Sequence, residues 1–284
     1  MWTEGLDEWF AAYGRHDLPW RLTTDPWAVL VSEVMLQQTS VARVLPRWQR
    51  FLLCWPVPGA CAEAALDDIL LEWQGLGYPR RARALWLTAG RVTEDGWPQD
   101  QAGLQSLPGV GLYTARALLA FSDLGGDDAV GPPRDVNLSR VAARAGLGRE
   151  PGEVAPATLD TVLRDGRPAA MSMRRYSYAL FDVGATRCRA RPDCPRCPLV
   201  AQCTARQRHL PMQPPSPPRT PYLGSMRQLR GAVLAEALRS PSASASRLAA
   251  TVTAVPGATP QRIRAALDSL VADGLLGRKG SARR

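Results

Sequence analysis

Lysine is almost absent from this sequence. Lysine and arginine together account for 35 of the 284 residues, and the single lysine stands near the C-terminus at position 279. A lysine amine is the nucleophile that forms a Schiff base with a carbonyl or sugar carbon. No lysine before Lys279 can therefore take part in covalent chemistry of that kind.

Three further features are missing or scarce. The N-terminal segment MWTEGLDEWF has neither the basic nor the apolar region of a signal peptide. No run of about 18 apolar residues is present to span a membrane, and alternating β-branched runs are few. We therefore expect a soluble, intracellular protein with no membrane partner. In such a protein the presence of six cysteines indicates metal binding rather than disulfides.

Positive charge is what the sequence has in excess. The formal net charge is +9 and the isoelectric point about 9.8, which favours a polyanionic partner such as nucleic acid. The length and the 45% hydrophobic content suffice for one good core and a small second domain.

Helical periodicity dominates the sequence and predicts an all-α fold. Asp25 followed by Pro26 is typical of a helix N-cap and first helical position, and the segment WAVLVSEVMLQQT behind them predicts a mostly buried helix. Further helices are predicted over 41–53, 62–73, 80–94, 100–106, 112–122, 136–145, 156–164 and 172–185.

A Pro-rich stretch over 209–224 cannot continue a helix and predicts an extended linker. The pattern behind it predicts helices over 226–239, 244–252 and 260–273. Three short helices with a basic tail indicate a winged-helix-like basic module over 225–284. Its basic residues are expected to contact phosphate, with a solvated face as the alternative: Arg262, Arg264, Arg278, Lys279, Arg283 and Arg284.

Four cysteines form a compact loop with the spacing C-x5-C-x2-C-x5-C: Cys188, Cys194, Cys197 and Cys203. Four thiolates so close in sequence can hold tetrahedral zinc or an iron–sulfur cluster. The spacing indicates a metal site without choosing between the two. Cys54 and Cys61 lie in an apolar, helical setting and are expected to be core residues.

Two glycines, Gly109 and Gly111, stand two residues apart between predicted helices. They allow a tight turn, and the N-terminus of the helix that follows presents unpaired N–H groups. Such an end can bind a DNA phosphate without reading sequence. A plain helix connector is the alternative interpretation.

Two carboxylates are candidates for acid–base chemistry. Glu33 lies within an apolar helix, where burial raises the pKa of a carboxyl group and suits it to general-acid catalysis. A solvated glutamate at a helix edge is the alternative. Asp135 is placed to cap a helix beginning near Val136, a role compatible with catalysis.

Taken together, these sequence motifs resemble those of the MutY adenine DNA glycosylases of the helix-hairpin-helix (endonuclease III) superfamily. The resemblance covers about residues 6–205 in order and without large gaps. It is carried by LPWR (18–21), SEVMLQQTSVARV (32–44), WQGLGY (73–78), LPGVGLYTARA (107–117), D-x-N (135–137), DVGATRC (182–188) and the cysteine loop.

The resemblance implies a two-lobed helix-hairpin-helix glycosylase domain over 1–208, with DNA in the cleft. A helical-barrel lobe would span about 23–134, and an iron–sulfur lobe would join 1–22 to 135–208. The resemblance also selects a [4Fe–4S] cluster over zinc for the cysteine loop. It implies a bacterial, cytoplasmic, nucleoid-associated protein, for which a monomer is the default expectation.

The implied activity belongs to base excision repair: hydrolysis of the N-glycosidic bond of adenine mispaired with 8-oxoguanine or guanine in double-stranded DNA. By resemblance, Glu33 protonates the flipped adenine at N7. Asp135 stabilises the developing oxocarbenium charge, and Asn137 and Tyr113 position these groups. Strand-cleaving relatives resembling endonuclease III have lysine at the Tyr113 position, so no lysine-dependent lyase activity is expected.

The resemblance also implies DNA- and base-binding positions. Trp20, Arg21 and Leu36 match the adenine pocket, with core packing as the alternative for the tryptophan and the leucine. The remaining positions match the loops that enter or grip the duplex: Gln37, Gln38, Thr39, Tyr78, Leu107, Gly109, Val110 and Gly111.

The sequence departs from the family pattern in several places. The first cysteine gap is one residue short, a Glu or Gln that holds adenine in relatives is replaced by Tyr178, and residues 225–284 are too short and too helical for a Nudix-like domain. Two other functions therefore stay open. One is a thymine or uracil mismatch glycosylase of the same superfamily, and the other is a non-catalytic iron–sulfur DNA-binding protein.

Overall fold

A computed structural model describes residues 1–125, 131–212, 221–241 and 243–277. These residues form helices and connecting loops with no β-strand, so the predicted all-α class is confirmed. Within the same ranges no helix is both long and apolar enough to cross a membrane. The helices are α1 Leu6–Tyr13, α2 Pro26–Leu36, α3 Val41–Cys54, α4 Pro58–Glu63, α5 Leu66–Glu72, α6 Arg80–Asp95, α7 Gln101–Gln105, α8 Leu112–Phe121, α9 Val136–Val141, α10 Pro156–Asp165, α11 Met173–Thr186, α12 Thr204–Gln207, α13 Met226–Arg239, α14 Ala245–Thr251 and α15 Pro260–Ala272.

The chain divides into two compact units. The first joins residues 1–33 to the described residues from Trp97 to 212, and the second joins Val34–Gly96 to the described residues from 221 onward. The lobe boundaries expected at about 23, 134 and 208 remain predictions.

Helix α2 begins as the sequence predicts. Asp25 accepts hydrogen bonds from the N–H groups of Trp27 (3.2 Å) and Ala28 (3.0 Å), which satisfies two donors of the first turn. The helix is buried on nearly every side, including Trp27 and Leu30. An apolar helix surrounded by protein needs no polar face, which explains its composition.

The prediction of one helix over 62–73 is wrong. Two helices, α4 and α5, lie there with a break at Ala64 and Ala65, which have extended backbone conformations. The indole N–H of Trp86 donates to the freed carbonyl of Ala64 at 3.0 Å. This tertiary partner stabilises a break that neither glycine nor proline marks in the sequence.

The expectation that Cys54 is a core residue is also wrong. The apolar stripe of α3 consists of Val44, Trp48 and Phe51, all buried. Cys54 is the last residue of the helix, beyond the last buried position of this stripe, and its side chain is exposed. Cys61 is buried, as predicted.

The prediction that a helix runs over 136–145 needs one correction. The α-helix α9 ends at Val141 and continues as a π-helical stretch, Ala142–Leu147. π-Helical turns within helices often occur near functional sites.

The C-terminal module, defined by the described residues 225–241 and 243–277, contains α13, α14 and α15 and no strand. The three helices predicted there are confirmed. Leu229 and Val233 of α13 and Ile263 and Leu270 of α15 are buried. Residues 209–212 and 221–224 of the predicted linker are not helical, whereas 213–220 and the basic positions 278–284 lie outside the described residues.

Candidate active site

Glu33 is a buried carboxylate of the first unit. It lies in the last turns of α2 with only 6% of its surface exposed. Burial raises the pKa of Glu33 to about 7, and the negative charge of Asp135 acts in the same direction. A hydrogen bond from Tyr113 and the positive charge of Arg21 oppose this rise. The sequence-based interpretation as a buried acid is thus supported over a solvated glutamate.

Tyr113 provides the direct partner of this carboxylate. Its hydroxyl, in the first turn of α8, donates to Oε2 of Glu33 at 2.8 Å. Burial and the neighbouring carboxylates raise the pKa of Tyr113 well above its ordinary value. The phenol therefore stays neutral and keeps its proton available for donation.

Asp135 caps α9, as predicted. Its Oδ1 accepts from the backbone N–H groups of Asn137 (2.8 Å) and Leu138 (2.8 Å), and its Oδ2 accepts from the side-chain amide of Asn137 (2.7 Å). Burial raises the pKa of Asp135, while these hydrogen bonds oppose the rise. The three bonds fix the carboxylate in one orientation.

A close approach of α9 and α11 holds Asn137 in place. A Cβ atom at Gly184 of α11 would lie 2.6 Å from Cβ of Asn137, so only glycine fits there. Arg140 donates to Oδ1 of Asn137 (2.8 Å), to the carbonyl of Gly184 (2.8 Å) and to the carbonyl of Cys188 (2.5 Å). One guanidinium thus connects the amide beside Asp135 with the start of the cysteine loop.

Arg21 is held by a buried carboxylate. Its two terminal nitrogens donate to Asp182 at 2.8 and 2.9 Å, and Arg15 donates to the same carboxylate at 2.6 Å through Nε and 2.9 Å through its backbone N–H. Although burial pushes the pKa of Asp182 upward, the hydrogen bonds and charges of Arg21 and Arg15 hold it below the ordinary value. This pairing is rigid because both terminal nitrogens of Arg21 bind the same carboxylate, that of Asp182.

Tyr178 completes the surroundings of Arg21. Its ring stacks on Phe121 with centroids 4.4 Å apart, and the guanidinium of Arg21 lies 4.5 Å from the ring centroid. Trp20 precedes Arg21 and is only 4% exposed. That burial fits both of the interpretations given to the tryptophan, pocket wall and core residue.

The hairpin has the predicted form. Leu107 and Val110 are buried and anchor the turn between α7 and α8, whereas Gly109 and Gly111 are exposed. Gly109 has a φ of 75°, which favours glycine. Among the described residues no side chain caps the N-terminus of α8 at Gly111.

The second unit contains the other predicted binding positions in two loops. Leu36 ends α2 and is half-buried, and Gln37, Gln38 and Thr39 follow it. Tyr78 ends the loop before α6. Gln38 and Tyr78 have φ angles of 55° and 48°, a region that residues with side chains rarely adopt.

Arg81 of α6 ties these two loops together. Nη1 donates to the carbonyls of Val34 (2.6 Å) and Gln37 (2.7 Å) in the first loop. Nη2 donates to the carbonyls of Leu76 (3.0 Å) and Gly77 (3.0 Å) in the second. The guanidinium thereby fixes the backbone immediately before both strained residues, Gln38 and Tyr78.

The four loop cysteines line one cavity of the first unit. Apolar side chains of Val141 and Leu199 and the guanidinium-bearing residues Arg144 and Arg206 line it with them. Among the residues that the structure describes, no three His, Cys, Asp or Glu side chains converge closely enough to hold a single metal ion.

Several of these residues were missed by sequence reasoning. Arg15 and Asp182 carry no spacing signal, since they lie 167 residues apart in the chain. The contacts of Arg140 with Gly184 and Cys188 span 44 and 48 residues. Asp182 lies within the DVGATRC motif, but the motif does not reveal its arginine partners. Arg81 follows the WQGLGY segment, and its role was likewise not predicted from the sequence.

The chain matches a family of base excision DNA repair proteins. The family profile described as "HhH-GPD superfamily base excision DNA repair protein" matches residues 31–161. Two solved structures share the fold, each 22% identical over 72% of this chain. The match to a thermostable thymine-DNA glycosylase covers 95% of that chain and has a TM-score of 0.62. The match to endonuclease III in a non-covalent complex with DNA covers 94% of that chain and has a TM-score of 0.56.

The chain belongs to the MutY-type adenine DNA glycosylase family. It is 41% identical over 280 residues to the adenine DNA glycosylase of Mycobacterium tuberculosis, a match covering 94% of this chain and 88% of that protein. The adenine DNA glycosylase of Mycolicibacterium smegmatis is 37% identical, and the match covers 95% of this chain and 91% of that protein. The human protein is 35% identical over 215 residues, which are 68% of this chain and 37% of the human one. The predicted activity, N-glycosidic hydrolysis of adenine in base excision repair, is confirmed.

Proposed function

We propose that this adenine DNA glycosylase is monofunctional and acts on adenine mispaired with 8-oxoguanine or guanine in double-stranded DNA. The observation that carries the mechanism is the buried Glu33 carboxyl, hydrogen bonded by Tyr113 at 2.8 Å and with a pKa raised to about 7. Such a group is partly protonated near neutral pH and donates a proton efficiently.

Glu33 is the proposed general acid that protonates N7 of the flipped adenine, which makes the base a better leaving group. Tyr113 orients the carboxyl through its hydroxyl. The fixed carboxylate of Asp135 stabilises positive charge as it develops on the sugar, and Asn137 holds that carboxylate in place. Water then attacks C1′ and an abasic site remains.

The absence of lysine supports the monofunctional assignment. The amine that a lyase uses would have to stand where Tyr113 lies, and the only lysine of the chain is Lys279. The abasic product is therefore expected to keep an intact strand until alkali is added.

The cysteine loop is the proposed site of a [4Fe–4S] cluster. The four cysteines line one cavity, and four cysteine thiolates are the usual ligand set of such a cluster. When bound, it would order the loop and tune the charge presented by Arg189, Arg191 and Arg196, all exposed.

DNA contacts are proposed for three surfaces. The exposed turn at Gly109 and Gly111 and the uncapped start of α8 suit a phosphate. Gln38 and Tyr78 are proposed to wedge into the base stack. In the C-terminal module Arg264 is exposed. Arg262 instead donates hydrogen bonds to the carbonyls of Gly257 in the module and Gly224 just before it. The proposed place of action is the bacterial nucleoid, with a monomer as the acting species.

The test is single-turnover base release from duplexes that hold A opposite 8-oxoguanine, G or T, and T or U opposite G. Each reaction is scored with and without alkali, and borohydride is added to trap covalent adducts. We expect alkali-dependent cleavage at the two mispaired adenines and no trapped adduct, with Lys279→Gln identical to the wild type. Cleavage at T or U, or a trapped adduct that Lys279→Gln abolishes, would overturn the proposal.

A further inference from the structure

Tyr78 has a backbone conformation that its surroundings must maintain. Its φ of 48° lies in the left-handed region, which costs a residue with a side chain on the order of 1 kcal/mol. The residue is 36% exposed, so part of its surface is accessible to solvent. Such a conformation persists only where neighbouring residues fix it.

Arg81 fixes only part of this loop. Its hydrogen bonds to the carbonyls of Leu76 and Gly77 hold the backbone before Tyr78, and its guanidinium lies 5.5 Å from the centroid of the Tyr78 ring. The hydroxyl end of the ring needs another partner if its direction is to be fixed.

That partner comes from the C-terminal module. Nη1 of Arg227, in the first turn of α13, donates to the hydroxyl of Tyr78 at 2.9 Å. Its guanidinium carbon also lies 5.7 Å from the Tyr78 ring centroid and 5.1 Å from that of Tyr222. A planar guanidinium that donates a hydrogen bond and also lies beside aromatic rings restricts the orientation of the tyrosine.

The module is itself anchored to the helices that carry this loop. Arg80, two residues after Tyr78, pairs with Asp273 at 3.0 Å. Asp273 also pairs with Arg230 of α13, and α13 packs against α5. The module is thus bound on both sides of the loop that ends in Tyr78, through α5 before it and Arg80 after it.

We infer that the C-terminal module positions Tyr78 for entry into the base stack, with Arg227 as the positioning residue. The inference rests on the proposed function, in which Tyr78 is a wedge. Opening a duplex costs a few kcal/mol, and a ring held in one direction before binding loses less conformational freedom on insertion. The module therefore contributes to duplex opening through protein contacts, besides any phosphate contacts of its own.

A double-mutant cycle tests this inference. Tyr78→Phe removes the hydroxyl acceptor, Arg227→Met removes the donor, and the double variant removes both. Arg239→Met is the matched control, because Arg239 is an exposed residue at the other end of α13 that pairs with Glu236 instead. The probe is a duplex with A opposite 8-oxoguanine and 2-aminopurine beside the mispair, whose fluorescence reports unstacking. Dissociation constants and adenine release are measured on the same duplex.

We expect each single variant to weaken unstacking and binding by about three- to tenfold, the range for loss of one ordinary hydrogen bond, because the bond between Arg227 and Tyr78 lies at an exposed position. The double variant should lose no more than either single one, and Arg239→Met should match the wild type. Additive losses, wild-type behaviour of Arg227→Met, or no unstacking by the wild type would overturn the inference. Adenine release tests the proposed function separately. Coupling between Arg227 and Tyr78 without adenine release would reject the proposed function alone. Adenine release without that coupling would reject only the role of Arg227.

Discussion

The pH dependence of base release follows from the environment of Glu33. The proposed general acid must be protonated before it can act, and burial raises its pKa to about 7. A group with that pKa is about 90% protonated at pH 6 and about 10% protonated at pH 8. The single-turnover rate should therefore fall about tenfold between these two values and level off below pH 6.

An unperturbed glutamate predicts a different profile. With a pKa near its ordinary value of 4.5, only about 3% of the group would be protonated at pH 6, and the rate would fall about a hundredfold by pH 8. The assay is alkali-revealed adenine release from a duplex with A opposite 8-oxoguanine, at constant ionic strength and saturating enzyme. A hundredfold decline without a plateau near pH 6 would refute the claim that burial sets the pKa of this acid.

Three further predictions concern stability and positioning. Glu33→Gln should stabilise the fold above pH 7 by up to about 3 kcal/mol, because the raised pKa of Glu33 makes wild-type stability fall as pH rises from about 4.5 to about 7. Urea unfolding at pH 4 and pH 8 measures this difference. An equal effect of the substitution at both pH values would contradict the prediction. Asp182→Asn should destabilise by about 3–5 kcal/mol, since it leaves the buried Arg21 guanidinium uncompensated; loss below 1 kcal/mol in urea unfolding would contradict that. Arg140→Met removes the donor to Asn137 and should lower single-turnover base release at least tenfold with DNA affinity nearly unchanged; an equal loss in both measurements would argue against a positioning role.

Local sequence signals predicted the parts of the site that depend on one element. The burial of Glu33 follows from the apolar residues around it on α2, and the capping role of Asp135 follows from the helix that begins at the next residue. Both depend on neighbours within a few positions along the chain, where periodicity and capping preferences are informative. The three helices of the C-terminal module were predicted for the same reason.

Features that depend on tertiary partners were not predictable. The break between α4 and α5 depends on Trp86, which lies 22 residues from Ala64. The pairing of Asp182 with Arg21 joins residues 161 positions apart. With 35 arginines and lysines in the chain, charge alone does not identify which of them pairs with a given carboxylate.

Sequence reasoning also failed at Cys54, where an apolar neighbourhood suggested burial. Helical periodicity indicates the direction in which a side chain points. It does not indicate whether another element covers that side chain at the end of the helix. Cys54 lies at the end of α3, and its side chain is exposed. The error lies in treating an apolar composition as evidence for a covering neighbour.

The most direct test of the central claim is adenine release by Glu33→Gln from a duplex with A opposite 8-oxoguanine. Glutamine preserves the shape of the side chain and an acceptor for Tyr113 but cannot protonate the base. The account predicts that base release is abolished while the dissociation constant for the duplex stays within about twofold of the wild-type value. Base release at a wild-type rate by this variant would show that Glu33 is not the acid and would contradict the mechanism.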